Sequence, residues 1–372
     1  MNLHARSIRQ SGVTLIELMV AMVIGLLLLS GLVNVLVGSK KSYQWQDELS
    51  RLQENGRFAV QTLSREIRLA GYAGCSPVIN NLLNPAGTGY SDSLFDLSEV
   101  ATGWEFVGTA VGNSHAMNST SPTGVALSSW DDPASVDLAA GLQNKVVPGT
   151  DVLVLKRASA KAGVTASGNT PANANTINLT AASGVAQGTI LMISDCSGAD
   201  VFQNRSNQTA NTLSRGASNS NPGPGNLNPG SNNFSHRYES DAEIHAVAVT
   251  VFYIGLSAGG EPALYQLSYD MGSAGTPVAL VEGVENMQLL YGIDTNGDEV
   301  PEQYLTAAAL AGNADRVRTI RIGLLLRSFA RVDQHSVISS HDLLGTTLTT
   351  PNDGRNRSVL TTTVKLRNRG QM

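Results

Sequence analysis

From Val13 to Val37 the chain runs 25 residues with a single charged side chain, Glu17. As a helix rising about 1.5 Å per residue, the run would reach roughly 37 Å, enough to cross a hydrocarbon core of about 30 Å with some tilt. A cleaved secretory signal is the competing reading, but its apolar part usually spans about 7 to 15 residues. One membrane helix is therefore expected. The preceding residues, MNLHARSIRQSG, hold Arg6 and Arg9 and no acid. Basic residues before an apolar stretch keep that end in the cytoplasm, so the body should lie on the far side. An ionised side chain deep in a bilayer costs about 2.5 kcal/mol or more, which makes an intramembrane acid a functional candidate by default. Glu17 lies only five residues into the run, where it could also snorkel to the head groups. On its own it reads equally as interfacial or functional.

The helical pattern does not stop at the membrane. From Ser39 to Ala70 there is no Pro, and Trp45, Leu49, Leu52, Val60, Leu63 and Ile67 recur near helical spacing. The resulting apolar stripe is narrow, suited to burial on a sheet or against other helices. Gly56 should loosen this helix locally, since Gly costs about 1 kcal/mol relative to Ala in a helix interior. Gly71 and Gly74 supply stop signals.

The rest of the chain has a different character. Charged residues make up only 15% of the 372, with 37 Gly, and Ser, Thr and Asn are frequent in the body. That balance suits an extracytoplasmic β-rich body with many turns. A formal charge of −5, with no basic arm or zinc-finger spacing, gives no reason to expect nucleic-acid binding. Strand-like runs occur at 151–157, 176–180, 189–194, 243–254, 263–269, 284–293, 316–329 and 361–367. Their short spacers suggest antiparallel pairing. Residues 203–235, rich in Asn, Ser, Gly and Pro, read as a long exposed loop or disordered insert.

The junction Gly12-Val13-Thr14-Leu15-Ile16-Glu17 resembles the class III signal of type IV prepilins, where a basic leader ends in Gly and the fifth residue after it is Glu. The stretches ENGRFAVQTLSREIRLAGYAGC, LMISDCSGADVFQ, VEGVENMQLLYGIDTNGDEV and TTTVKLRNR are similar to the PilW family of type IV pilus assembly proteins. Where that signal favours Phe after the cut, this chain has Val13.

The resemblance implies an α+β pilin-like fold, a long N-terminal helix carrying a C-terminal antiparallel β-sheet head. It divides the chain into a leader (1–12), a membrane-spanning half-helix (13–37), an extramembrane half-helix (38–70) and a head (71–372). A prepilin peptidase would cut between Gly12 and Val13, and the new amino terminus would be methylated. Losing Arg6 and Arg9 leaves 23 Lys and Arg against 30 Asp and Glu, a net charge of −7. Glu17 would then pair with the terminal amine of a neighbouring pilin, a pairing far stronger in a low dielectric than in water. Implied partners are other minor pilins, the major pilin and the inner-membrane assembly machinery. Implied locations are the inner membrane with a periplasmic head before assembly, and the pilus at the cell surface afterwards. The function implied is a minor pilin that primes or caps the fibre. A type II secretion pseudopilin would share the same leader and Glu17.

Three further features need a reading. Cys75 and Cys196 are the only cysteines, and outside the cytoplasm an even count favours a disulfide, with two separate buried thiols as the alternative. Such a bridge would close a loop of about 120 residues and stabilise by roughly 4 to 5 kcal/mol in the chain-entropy model. Asp294, Asn296 and Asp298 alternate like the opening of a calcium loop, with Glu302 as a further ligand, but Glu299 stands where an EF-hand needs Gly and Leu305 where it needs an acid. A polar turn is the reading these residues favour, a calcium site the alternative, and no other cofactor is expected. Gly255-Leu-Ser257-Ala-Gly259 matches the nucleophile-elbow pattern, with Asp294, His335 and His341 downstream. The strand-like ALYQLSY follows directly, so a hairpin is expected there, and a membrane-anchored hydrolase is the different-class alternative. The expected function is not enzymatic.

Overall fold

The computed structural model describes residues 12–74, 78–118, 121–216, 223–331 and 338–368, without the side chains of 160–163. The chain divides into two compact units, residues 1–50 and 51–372. One helix, α1 (Leu15–Leu69), contributes to both. In the first unit its large apolar side chains from Val13 to Val37 are all exposed. It is long and apolar enough to cross a membrane. This matches the uninterrupted helical reading of the sequence, except that the pattern continues to Leu69 without a break at Gly56.

The second unit is mostly strand. Nine strands form the larger sheet: β1 (Ile79–Asn81), β2 (Ala101–Phe106), β3 (Trp130–Asp131), β4 (Val152–Thr165), β5 (Ile190–Ser194), β6 (Ala199–Gln203), β7 (Glu243–Leu256), β8 (Pro262–Ser268) and β9 (Val278–Glu282). Their order is β1-β6-β5-β7-β4-β2-β3, with β8 pairing the C-terminal part of β7 and β9 pairing β8. Pairing is antiparallel except between β1 and β6, which run parallel. The second sheet has four strands in the order β11-β10-β12-β13: β10 (Val284–Ile293), β11 (Gln303–Leu305), β12 (Val317–Arg327) and β13 (Arg357–Lys365). All its pairings are antiparallel.

Strand β10 reads VENMQLLYGI and is buried at every position. Both of its faces are covered, so its polar side chains, Glu285, Asn286 and Gln288, are buried along with the apolar ones. On one side Leu52, Ala59, Leu63, Ile67 and Ala70 of α1 form one core with Met287, Leu289, Ile320, Ile322, Leu324 and Leu326. The expected stripe is correct at Leu52, Leu63 and Ile67, whereas Trp45 is about half exposed. Ala59 and Ala70 are small, so the periodicity of large side chains does not reveal them.

Gly56 is not a weak point but a contact. A Cβ there would collide with the Leu360 methyl and lie 3.2 Å from both methyls of Leu326, so any larger residue would force these side chains to shift. The helix ends where the sequence indicates, with Gly71 at φ +78°, a backbone conformation that costs glycine little. The Asn368 side-chain amide donates to the carbonyls of Leu69 (3.2 Å) and Ala70 (3.1 Å), closing the last turn from the far end of the chain.

Of the stretch 203–235, expected to be exposed or disordered, residues 217–222 lie outside the described residues, and the described remainder is exposed only in part. Among the described residues of that stretch, Gln203, Asn204, Leu213, Arg215, Asn226 and Phe234 are buried. Side-chain amides replace the missing strand partners: Gln203 Nε2 donates to the carbonyls of Gly188 (2.8 Å) and Gly223 (2.9 Å), and Asn226 Oδ1 accepts from the Gln203 N–H (2.7 Å). Arg215 donates to the carbonyls of Ala174 and Asn232 and stacks on Phe234. Polar composition was taken as a sign of solvent exposure, but these amides satisfy buried backbone groups that would otherwise be costly to leave unpaired.

Candidate functional site: the N-terminal helix start

Helix α1 begins at Leu15, two residues past the Gly12–Val13 junction. Its first turn is closed by two side chains. The Thr14 N–H and Thr14 Oγ1 both donate to Glu17 Oε2, at 2.9 and 3.0 Å, and the Glu17 N–H donates to Thr14 Oγ1 at 3.3 Å. This is a reciprocal capping box, in which the N-cap hydroxyl and the acid three residues on satisfy N–H groups that no helical carbonyl can reach. The sequence signal for it, Thr-x-x-Glu ahead of an apolar run, is Thr14-Leu15-Ile16-Glu17, overshadowed in the sequence by the long apolar run that follows. Thr14 thus joins Gly12, Val13 and Glu17 as a residue of the site.

The capping role explains part of why an acid is tolerated here. A negative charge in the first turn is favoured by the partial positive charge of the helix N-terminus. It does not exhaust the carboxylate, because both Thr14 donors use Oε2.

The remaining candidates lie elsewhere in the chain. Ser257 occupies the tight turn between β7 and β8, where its N–H donates to the Glu261 carbonyl (2.8 Å) and its carbonyl accepts from the Gly260 N–H (2.8 Å). A nucleophile elbow needs a strand followed by a helix. Strand β8 follows instead, as the hairpin expectation held, and the hydrolase reading loses its nucleophile geometry. His341 lies on the strand Ser339–Leu343, and His335 falls outside the described residues. Cys196 is disulfide-bonded, and Cys75 falls outside the described residues.

The Asp294 loop joins β10 to β11. Ligand oxygens of Asp294, Asp298 and Glu302 lie within 4.8 Å of one another. Each carboxylate also serves the loop itself. Asp294 accepts the N–H groups of Gly297 (2.6 Å) and Glu299 (3.0 Å), Asp298 that of Val300 (2.8 Å), and Glu302 that of Thr295 (2.7 Å). Arg318 Nε stands 3.4 Å from Asp294. Burial pushes the Asp294 carboxyl up, but the Gly297 and Glu299 N–H groups and the Arg318 charge outweigh it and hold the group below its ordinary value. Glu299, at the position where an EF-hand places Gly, has φ +64°.

Sequence reading also missed a buried ion cluster. Glu285 on β10 is fully buried and binds Arg357 through both carboxylate oxygens (2.6 and 3.0 Å) and Arg327 at 3.2 Å. Glu261 joins Arg327 (2.6 Å) and Arg355 (3.0 Å). No short motif marks these residues, because their partners lie far apart in sequence.

Residues 251–368 match the family model described as Type IV Pilus-assembly protein W, and residues 8–33 match the Prokaryotic N-terminal methylation motif. The chain carries a PilW-type region behind a prepilin-like signal. The solved structures include a similar chain, a type IV-like pilin from Thermus thermophilus, with 11% identity and a TM-score of 0.30 over 86% of this chain and 98% of that one. No curated protein sequence is significantly similar. The matched PilW region contains the C-terminal part of β7, strand β8 and all four strands of the second sheet. Residues 251–368 are thus similar to the type IV pilus-assembly family PilW and residues 8–33 to a prepilin-type signal, in a chain of α+β architecture whose N-terminal helix is long and apolar enough to cross a membrane.

Proposed function

We propose that this PilW-type protein is a minor pilin that primes or caps a type IV pilus together with other minor pilins, docking through α1. Prepilin peptidase would free the Val13 amine, and Glu17 would receive the amine of an adjacent subunit. Before assembly the chain would sit in the inner membrane with its head in the periplasm, and afterwards in the fibre. Cys75 and Cys196 would form the disulfide of the head. The observation that carries the reading is the capping box at the helix start, which fixes the Glu17 carboxylate one turn from the cleavage junction. A charge held there, on a helix long enough to span a bilayer, is costly unless something cationic meets it.

The variant that separates the two roles of Glu17 is Glu17→Gln. A glutamine at this position still closes a capping box but carries no charge. Cells expressing it should cleave the leader normally, as read by mass spectrometry of a chain starting at Val13, yet make few or no pili. Normal piliation by Glu17→Gln would reduce Glu17 to a helix cap and overturn the proposal.

We further infer that the Asp294–Glu302 loop is a structural turn rather than a cation site, because each carboxylate already accepts loop N–H groups. Calcium at millimolar concentration should leave the melting temperature of the detergent-solubilised chain unchanged. A rise of several degrees that disappears in Asp298→Asn would reverse this reading.

A further inference from the structure

The longest edge strand of the second unit is β13, nine residues at the margin of the four-stranded sheet. Among the described residues it pairs only with β12, in an unbroken antiparallel register that sets Thr319 opposite Lys365 and Gly323 opposite Thr361. The phase of that ladder follows from one bond just beyond it, the Leu366 N–H donating to the Arg318 carbonyl at 2.9 Å. Opposed residues in an antiparallel pair alternate between those that exchange both hydrogen bonds and those that exchange none. Counting back from Leu366, residues 364, 362 and 360 bond to β12. Thr361, Thr363 and Lys365 therefore direct their N–H and C=O groups away from it, and all three are exposed.

Natural sheet edges are usually blunted by a charge, a proline, a bulge or a covering element. Toward its start β13 is covered, with Val359 packed against the cluster of Met117, Leu325, Leu343 and Leu348. From Thr361 to Thr363 there is neither charge nor proline, and no bulge interrupts the ladder. Beside this open stretch lies a groove of about 400 Å³ lined by Arg68, Glu299, Thr363, Lys365 and Arg367. Its single acid is already engaged, Glu299 Oε2 accepting from Lys365 Nζ at 2.9 Å. The groove keeps an excess of positive charge next to a row of outward-facing backbone groups.

We propose that the free edge of β13 accepts an extended, acidic segment of a partner protein as an added strand, with the basic groove receiving its acidic side chains. Main-chain bonds to Thr361, Thr363 and Lys365 supply affinity, and the groove supplies selection through alternate side chains. A second copy of this chain is the poorer occupant, since it would bring its own Lys365 and Arg367 to a groove of the same sign. The surface belongs to the head and does not depend on the reading of Glu17.

The test uses the full-length protein in detergent and fluorescein-labelled nine-residue peptides, read by anisotropy. One alternates Val with Asp, one alternates Val with Lys, and a third is the Asp peptide N-methylated at every residue so that neither edge can donate. The Asp peptide should bind and the other two should not. Thr363→Pro removes an outward N–H while leaving the β12 ladder whole, and should weaken binding about ten-fold or more, the loss of about one hydrogen bond. Thr363→Val should bind as the parent does, Arg367→Glu should bind weakly, and Glu17→Gln should bind fully. Equal binding of the Asp and Lys peptides, undiminished binding of the N-methylated peptide, or no binding of the Asp peptide would overturn the proposal. So would a dimer, seen by light scattering, that Thr363→Pro dissolves, for then the occupant is a second copy.

Discussion

Both donors of Thr14 go to one oxygen of Glu17, so the cap and a neighbour's amine do not compete for the same lone pairs. This gives Thr14 a role separate from that of the charge. Thr14→Val keeps the backbone donor and the acid but loses the hydroxyl that accepts the Glu17 N–H. Its piliation should fall between the parent and Glu17→Gln, with leader cleavage unchanged, as counted by electron microscopy alongside mass spectrometry. In the head, Glu285 stands in the opposite situation, fully buried between Arg327 and Arg357. Burial alone would lower the Arg357 guanidinium, yet hydrogen bonds and charge from Asp353 and Glu285 raise it above its ordinary value. Removing one member of such a cluster strands the others, so Glu285→Ala should cost about 3 to 5 kcal/mol in denaturant unfolding. Replacing Glu285 by Gln keeps one of its two acceptor oxygens and should cost less.

At the level of elements, the contact between α1 and the second sheet hangs on one missing side chain. Gly56→Ala would press a methyl into Leu360 and Leu326, and overpacking of this kind costs about 1 to 3 kcal/mol. A melting temperature below the parent's is expected, partly restored by Leu360→Val, which makes room. The longer strands could be read from sequence, because runs such as 284–293 and 317–327 are rich in large apolar side chains and bounded by polar turns. Strands β1, β2, β3, β6, β9 and β11 lie outside the expected runs. ATGWEF and ADVFQ are short and contain Gly, Thr, Glu, Asp and Gln, and their burial comes from neighbouring strands rather than from their own pattern. The Gly12 junction and Glu17 were legible because they form a contiguous motif. Its cap was equally local yet hidden behind the stronger membrane signal. The Glu285 cluster and the outward phase of β13 were not legible, since both arise from registers between distant strands.

Across the whole molecule, two sets of carboxyls titrate in opposite senses and together fix where the head is most stable. Burial raises Asp151, helped by the nearby Glu105 and only partly countered by N–H groups of Leu289 and Phe106. Burial likewise raises Glu105 and Glu99, against hydrogen bonds at Thr306 and Ala308 for the first and the Lys156 charge for the second. These groups hold their protons more tightly folded than unfolded. Their contribution is complete below the ordinary carboxylate value near about 4 and is lost as pH rises through their raised values. Glu261 and Asp353 behave inversely. Burial pushes each up, but hydrogen bonds from Arg327 and Arg355 to Glu261, and from Arg357 to Asp353, hold them below the ordinary range. Their contribution is present above about 4 and is lost as pH falls through their lowered values. The two limbs meet on the acid side of neutrality. The melting temperature of the detergent-solubilised chain should therefore be higher at about pH 5 than at about pH 8, and should fall again below about pH 4. Glu105→Gln removes one buried charge and its repulsion of Asp151, so it should flatten the alkaline limb and leave the acid limb in place. An alkaline limb just as steep in that variant would mean that the Asp151–Glu105 pair is not its source.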